Sequence, residues 1–333
     1  MTTARESAWK NAVDLALEAM VAPSFTRVGP AVRRRVFAWE PLGQHRLDGR
    51  TALVTGATSG LGLVTARALA RLGASVVLLV RNTGKGEAVR AEISATTGND
   101  AVRVVGVDMG DLDAVRSAAA VAGPGPVDIL VHNAGAMSST RTLSRQGIEE
   151  TVATHLVGPF LLTHLLGARL RARGARVIFV TSGGMYTEPL SVADLEMGEA
   201  GYSGVTAYAR AKRAQVSLVQ EWAPRLLPLG ITLNAMHPGW ADTPGLTSSL
   251  PTFSRLLRPL LRSADDGADT IVWLASAPGA GIPAGSLWLD RRRRSPHRLA
   301  STRRSDTDAQ RSRLWAYLCS RAEIAPAELG ALA

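Results

Sequence analysis

The 333-residue chain is 46% hydrophobic and 20% charged, which fits an ordinary folded protein and excludes a disordered one. A formal net charge of +10 would suit an anionic partner, yet no aromatic interleaving accompanies the arginines. They read as a solvated basic surface, so no nucleic acid is expected. The single cysteine, Cys319, leaves no partner for an internal disulfide and fits a reducing cytoplasm, and no metal-ligand spacing appears.

Residues 1–47 read as an N-terminal extension in which "AWKNAVDLALEAMV" has the spacing of an amphipathic helix. The polar start "MTTARESAWK" is unlike a signal peptide, and the run "HLVGPFLLTHLLGARL" falls short of the ~20 apolar residues of a membrane span. The expectation is a soluble, cytoplasmic chain. From Arg50 onward, β-branched runs alternate with helix-like stretches. "TALVT", "SVVLLV", "VRVVGV", "VDILV", "ARVIFVT" and "GITLNAM" read as six strands, with "SLWL" a candidate seventh. Continuous apolar strands separated by crossover helices imply an α/β fold: a doubly wound parallel sheet of Rossmann type, three layers deep, over residues 48–290. Residues 291–333 read as a basic, loop-rich C-terminal extension with a short helix near "RLWAYLCSRA".

Ligands of such a sheet lie beyond the carboxyl ends of its strands. After the first strand comes "TGATSGLG", where Gly56, Gly60 and Gly62 let backbone N–H groups and the next helix N-terminus approach a pyrophosphate. Thr58, Ser59 and Leu61 of the same turn join the cofactor candidates. The placement between strand and helix separates a dinucleotide turn from glycines that only reverse the chain. The second strand ends at Arg81, roughly 20 residues on, where an acid would hold an adenosine ribose hydroxyl. An arginine there suits a 2′-phosphate, favouring NADP(H) with NAD(H) as the alternative; a plain surface arginine is the rival reading. The third strand delivers Asp108 and Met109, with Asp108 either a cofactor contact or an N-cap, and the fourth delivers Asn133, Ala134 and Gly135.

The fifth strand brings Ser182 to the same edge, and "GVTAYARAK" places Tyr208 four residues before Lys212. On a helix these share a face. A neighbouring ammonium favours the phenolate and readies a tyrosine for proton transfer. With only Lys10, Lys85 and Lys212 available, chance gives such a pairing to one of the four tyrosines about 4% of the time. Tyr186 and Tyr202 lack a base at that spacing and are candidates for a substrate loop or for packing, while Tyr317 has the bulkier Arg321.

In order, "TGATSGLG", "NAG", Ser182, "YARAK" and "HPGWADT" resemble the short-chain dehydrogenase/reductase family over about residues 48–290. "SGGM", "YARAKRAQ" and "MHPGWADTPG" are similar to its branch named dehydrogenase/reductase SDR family member 12-like. The resemblance implies an oxidoreductase interconverting a carbonyl and an alcohol, with Tyr208 as general acid/base and Ser182 bonding the substrate oxygen. It further implies Lys212 on the nicotinamide ribose, Asn133 in the cofactor platform, and Pro238, Gly239 and Thr243 at the nicotinamide end. Dimers or tetramers are also implied, although the N-terminal extension is placed to cover such an interface. One departure stands out: His155 occupies the place of an asparagine that holds a relay water. Either the imidazole keeps the relay or His155 is a packed helix residue and the chain is a low-turnover, cofactor-binding sensor or scaffold. Finally, Leu246, Leu250, Phe253, Leu257 and Leu260 form an apolar stripe interrupted by Pro251 and Pro259. It is either core packing or a lid over a lipophilic small-molecule substrate.

Overall fold

The structure is a computed structural model and describes residues 2–278 and 282–324; residues 325–333 of the C-terminal extension lie outside the described residues. Eight strands form one sheet in the order β3-β2-β1-β4-β5-β6-β7-β8. They are β1 (Thr51–Thr55), β2 (Ser75–Val80), β3 (Val102–Gly106), β4 (Ile129–His132), β5 (Ala175–Val180), β6 (Ile231–Met236), β7 (Leu287–Leu289) and β8 (Arg292–Arg294). Every pairing from β3 to β7 is parallel, and β8 is antiparallel to β7. The order turns at β1, which has β2 on one side and β4 on the other, so the strand ends diverge there and leave the crevice expected of this fold.

The strand residues serve both faces. Leu53, Val77 and Leu79 enter one core with Phe160, Trp222 and Leu314, whereas Val54, Val76 and Leu78 enter the other with Ile93, Ile271 and Trp288. Period-2 alternation with both faces apolar is why these strands read as unbroken hydrophobic runs.

Before the sheet lie α1 (Thr2–Ala19), α2 (Val21–Phe25) and α3 (Val28–Val36), and between the strands α4 (Gly60–Arg71), α5 (Thr83–Thr97) and α6 (Leu112–Val121). After β4 follow α7 (Glu150–Val152), α8 (Gly158–Leu165) and α9 (Gly167–Arg171); after β5 comes α10 (Gly204–Leu226). Then α11 (Pro244–Ser249), α12 (Pro251–Leu257) and α13 (Ala264–Ser276) lead to β7, and α14 (Ala300–Ser305) and α15 (Asp308–Arg321) follow β8. Side-chain caps set several of these starts: Asn82 accepts from the Lys85 N–H, Ser203 from Thr206 and Thr307 from Gln310. In α15, Trp315 stacks edge-on against Trp222 (5.7 Å) and Phe160 (5.3 Å), fastening the last described helix to α8 and α10. Among the described residues, no helix is long and apolar enough to cross a membrane.

The arginine runs are solvated only in part: Arg34, Arg35, Arg293, Arg303 and Arg304 are exposed, but other arginines are buried. Arg33, Arg262 and Arg294 are at most 7% exposed. Buried Asp290 accepts from Arg262 (2.6 and 3.0 Å) and from Arg33 (2.6 Å), while Asp14 of α1 accepts from Arg33 (2.7 Å) and Arg294 (2.7 and 2.9 Å). These charges tolerate burial because each finds an opposite charge with hydrogen-bond geometry. The basic tail after β7 is likewise not loop-rich. Asp290 and Arg291 both have φ of 53°, the left-handed pair of a two-residue hairpin turn, and the next residues form β8. Arg291 is secured by Asp269 (2.7 and 2.8 Å) and by stacking 4.6 Å from the Trp39 ring centre.

Candidate active site

The turn after β1 is tied to the end of β4. Asn133 Nδ2 donates to the carbonyl oxygens of Thr55 (3.0 Å) and Gly56 (3.2 Å), and Thr55 Oγ1 accepts from the backbone N–H groups of Asn133 and Ala134, each at 2.9 Å. Gly56 has a φ of +67°, and a Cβ at Gly62 would stand 2.4 Å from both Asn133 Nδ2 and the Gly56 oxygen. Only glycine permits this approach. Ser59, the N-cap of α4, makes no side-chain capping bond, whereas Asn82, Asp111 and Thr243 cap their helices. The first N–H groups of α4 therefore have no side-chain acceptor, and with a Cβ-free turn beside them they fit a pyrophosphate. Thr58 and Leu61 are half-buried on this turn, and Ser59 is exposed.

At the ends of β2 and β3, Arg81 is 78% exposed and stands 4.0 Å from Asp108. A pair that open holds the guanidinium weakly and leaves it free to meet an anion. Asp108 is not the N-cap of α6; Asp111 is, accepting from the N–H groups of Asp113 and Ala114. Asp108 Oδ1 instead accepts from the Gly110 N–H at 3.0 Å. The Met109 side chain lies in the core and its carbonyl packs against Gly158.

Tyr208 and Lys212 lie one turn apart on α10, with Lys212 Nζ 5.4 Å from the Tyr208 ring centre and donating to the Val180 carbonyl at 2.8 Å. Ser182 lies beside the Tyr208 hydroxyl and its Oγ accepts from the Gly184 N–H (3.2 Å), starting the turn Gly183–Tyr186. The His155 ring stands edge-on to Tyr208 at 5.3 Å. Four residues chosen from the sequence thus gather at one place. Their electrostatics differ from expectation: burial pushes the Tyr208 hydroxyl upward, with the Ser182 bond opposing it, and burial lowers Lys212 to about 7. In the polypeptide by itself, desolvation rather than the ammonium governs the phenol.

His155 is fully buried in a π-helical turn, Ala153–Val157, a distortion frequent at functional sites. Its Nε2 lies 2.9 Å from the Ala136 carbonyl oxygen and 3.2 Å from that residue's N–H, and its Nδ1 is unpartnered among the described residues. Burial, then the charge of Lys212, holds it well below the ordinary histidine range, so the ring is neutral. The packed and water-holding readings therefore reduce to one atom, Nδ1. A Cβ at Gly135 would reach His155 Cε1 at 2.3 Å, so that glycine makes room for the ring.

Beyond β6, Pro238 and Gly239 (φ +70°) lead to Thr243, which caps α11 and stands 3.3 Å from where a Gly60 Cβ would be. The segments after β1 and β6 therefore meet. The remaining tyrosines each donate to an acceptor within the fold: Tyr186 to Ser295 O (3.0 Å), Tyr202 to Glu149 (2.9 Å) and Tyr317 to Glu196 (2.7 Å). Leu246, Leu250, Phe253 and Leu257 are half-buried, and Leu260 is 44% exposed, so the stripe is not core. Phe253 meets Trp240 edge-on at 5.2 Å.

Sequence reasoning missed Thr55, Gln215 and Phe25. Gln215 Nε2 donates to the His155 carbonyl at 2.7 Å, and it continues the i, i+4, i+7 face of Tyr208 and Lys212, a signal open to reading. Thr55 carried no comparable sign.

Comparison with known proteins supplies a wider context. A family model described as short chain dehydrogenase matches residues 50–252. The chain is 35% identical over 271 residues to dehydrogenase/reductase SDR family member 12 of Bos taurus, covering 81% of this chain and 85% of that protein. It is 33% identical to retinol dehydrogenase 12 of Homo sapiens, covering 88% and 92%. A solved structure from Beutenbergia cavernae, described as a candidate NAD(P)-dependent gluconate 5-dehydrogenase with NADP bound at low occupancy, superposes with a TM-score of 0.61 at 27% identity, covering 73% of this chain and 95% of that one.

Proposed function

This chain belongs to the short-chain dehydrogenase/reductase family, an oxidoreductase of CH–OH and carbonyl groups that takes a nicotinamide cofactor, and from that premise we propose that it reduces a lipophilic ketone or aldehyde with NADPH. The observation that carries this reading is the convergence of Ser182, Tyr208 and Lys212 at one strand-end site.

When bound, the nicotinamide supplies the hydride that reaches the carbonyl carbon. Ser182 holds the carbonyl oxygen, and the Tyr208 hydroxyl gives that oxygen its proton. Burial pushes the Tyr208 hydroxyl upward in the polypeptide by itself, with Ser182 opposing it. Lys212 binds ribose hydroxyls and restores the proton, His155 Nδ1 holds the water that serves this relay, and Thr243 with Pro238 and Gly239 borders the nicotinamide. The glycine turn with Thr58, Ser59 and Leu61 cradles the pyrophosphate, while Asp108, Met109 and Asn133 to Gly135 line the platform. Exposed Arg81 supports NADP(H) over NAD(H) through charge-assisted bonds to a 2′-phosphate.

The half-exposed apolar stripe and the retinol dehydrogenase likeness support a lipophilic substrate, each buried methylene adding about 0.8 kcal/mol. NADPH oxidation against a series of alkyl aldehydes and ketones, with sugars as controls, tests this. The expected result is kcat/KM rising with chain length and lost in Tyr208→Phe. Better turnover of polyols would remove the apolar reading. Tight NADPH binding with no turnover on any carbonyl would favour the sensor reading, to which the buried His155 lends its support.

A further inference from the structure

Phe25 ends α2, far in sequence from every motif above, and is 3% exposed. Its ring enters between two loops of the site. On one side lies the residue after Ser182: a Cβ on Gly183 would stand 2.6 Å from Phe25 Cε2, so the absence of a side chain there is the room the ring fills. On the other side lies the segment after β6, with the ring 4.8 Å from His237 and 5.8 Å from Trp240, the latter edge-on. The Phe25 carbonyl accepts from the Trp240 N–H (2.8 Å) and from Arg262 Nε (2.8 Å), and Arg262 is itself fixed by Asp290. Trp240 in turn meets Phe253 of the apolar stripe, and the Arg27 N–H donates to Leu260 O at its far end.

We infer that Phe25 is a positioning residue for the active site: the N-terminal segment inserts it as a wedge that sets the spacing between the Ser182 loop and the Pro238–Gly239–Trp240 loop. The first loop holds the substrate oxygen and the second borders the nicotinamide, in the reading proposed above, on which this inference rests. A rigid aromatic ring suits the task because it fixes two main-chain segments at once with two side-chain torsions. Among the described residues, the ring contacts and hydrogen bonds of Phe25 lie away from the adenosine side, which is built from the ends of β1 to β3.

The test uses the full chain with Phe25→Ala, Phe25→Leu and Gly183→Ala. Phe25→Ala is expected to lower kcat at least tenfold while NADPH affinity, read by fluorescence titration, stays within about threefold. Phe25→Leu restores most of the rate. Amide hydrogen exchange quickens at Gly183–Tyr186 and His237–Trp240, with β1 and β2 unchanged. Gly183→Ala lowers kcat by itself, and adding Phe25→Leu to it recovers activity because the smaller side chain admits the methyl group. This last pair carries the test should Phe25→Ala fail to fold. Unchanged kcat in folded Phe25→Ala, exchange that rises evenly over the whole sheet, or a double variant no better than Gly183→Ala would each overturn the inference. Exchange needs no turnover, so a wild-type protein that reduces no carbonyl but shows the localised exchange change refutes the functional reading and leaves the wedge standing.

Discussion

The two ends of the site are held by different physics. On the β1 side, the side chains of Thr55 and Asn133 bond to each other's main chain beside a glycine turn, joining the ends of two adjacent parallel strands, β1 and β4. On the β6 side, the spacing depends on charges brought together from opposite ends of the chain: Arg33 and Asp290 are 257 residues apart. The first end joins neighbouring strand ends and tolerates little but glycine at its turn; the second joins segments from both ends of the chain. In the proposed reading, stability and cofactor grip are therefore separable, and mutations sort by which end they touch.

The largest separation is expected at Asp290. Asp290→Ala leaves Arg33 and Arg262 buried without their shared partner, which costs about 3–5 kcal/mol. Urea unfolding measures the loss, and a stability within about 0.5 kcal/mol of wild type would show that the termini are not clamped as described.

Asp14 gives a smaller, pH-dependent effect. Burial, which by itself would raise its pKa, is outweighed by the hydrogen bonds and charges of Arg294 and Arg33, which hold it at about 2 against the ordinary 3.8. The folded value lies below the unfolded one, so the stabilisation is present above about pH 4 and is lost as the pH falls through about 2. Its size is about 2 kcal/mol. Unfolding followed from pH 5 to pH 2 should show that much less pH dependence in Asp14→Asn than in wild type; equal slopes would place the acid sensitivity elsewhere.

The smallest effect concerns the other end. Arg81→Ala should leave unfolding unchanged while reducing the kcat/KM preference for NADPH over NADH about tenfold, or about 1.4 kcal/mol. An unaltered ratio would make Arg81 a plain surface residue.

This contrast also explains what could be read from sequence. The strands β1 to β7, the glycine turn and the Tyr208–Lys212 face were legible because each is a local pattern of period 2, period 3.6 or Cβ-free turning. Strand β8 was hidden: its turn is Asp290–Arg291 rather than a glycine pair, and its residues are all arginine, so neither turn chemistry nor alternation announced it. The burial of Arg33, Arg262 and Arg294 follows from partners supplied across the fold, which no window of sequence contains. The same holds for the protonation of the site. The Tyr208–Lys212 spacing predicts an ammonium beside a phenol, but how far each is desolvated depends on the elements packed around α10.

The central claim is that Tyr208 supplies the proton while other residues hold the cofactor. Single-turnover mixing of enzyme and NADPH with a long-chain aldehyde, comparing wild type with Tyr208→Phe, separates the two. The account predicts NADPH binding within about threefold of wild type and a chemical step slowed by roughly 10²–10⁴-fold. An undiminished rate in Tyr208→Phe would contradict it.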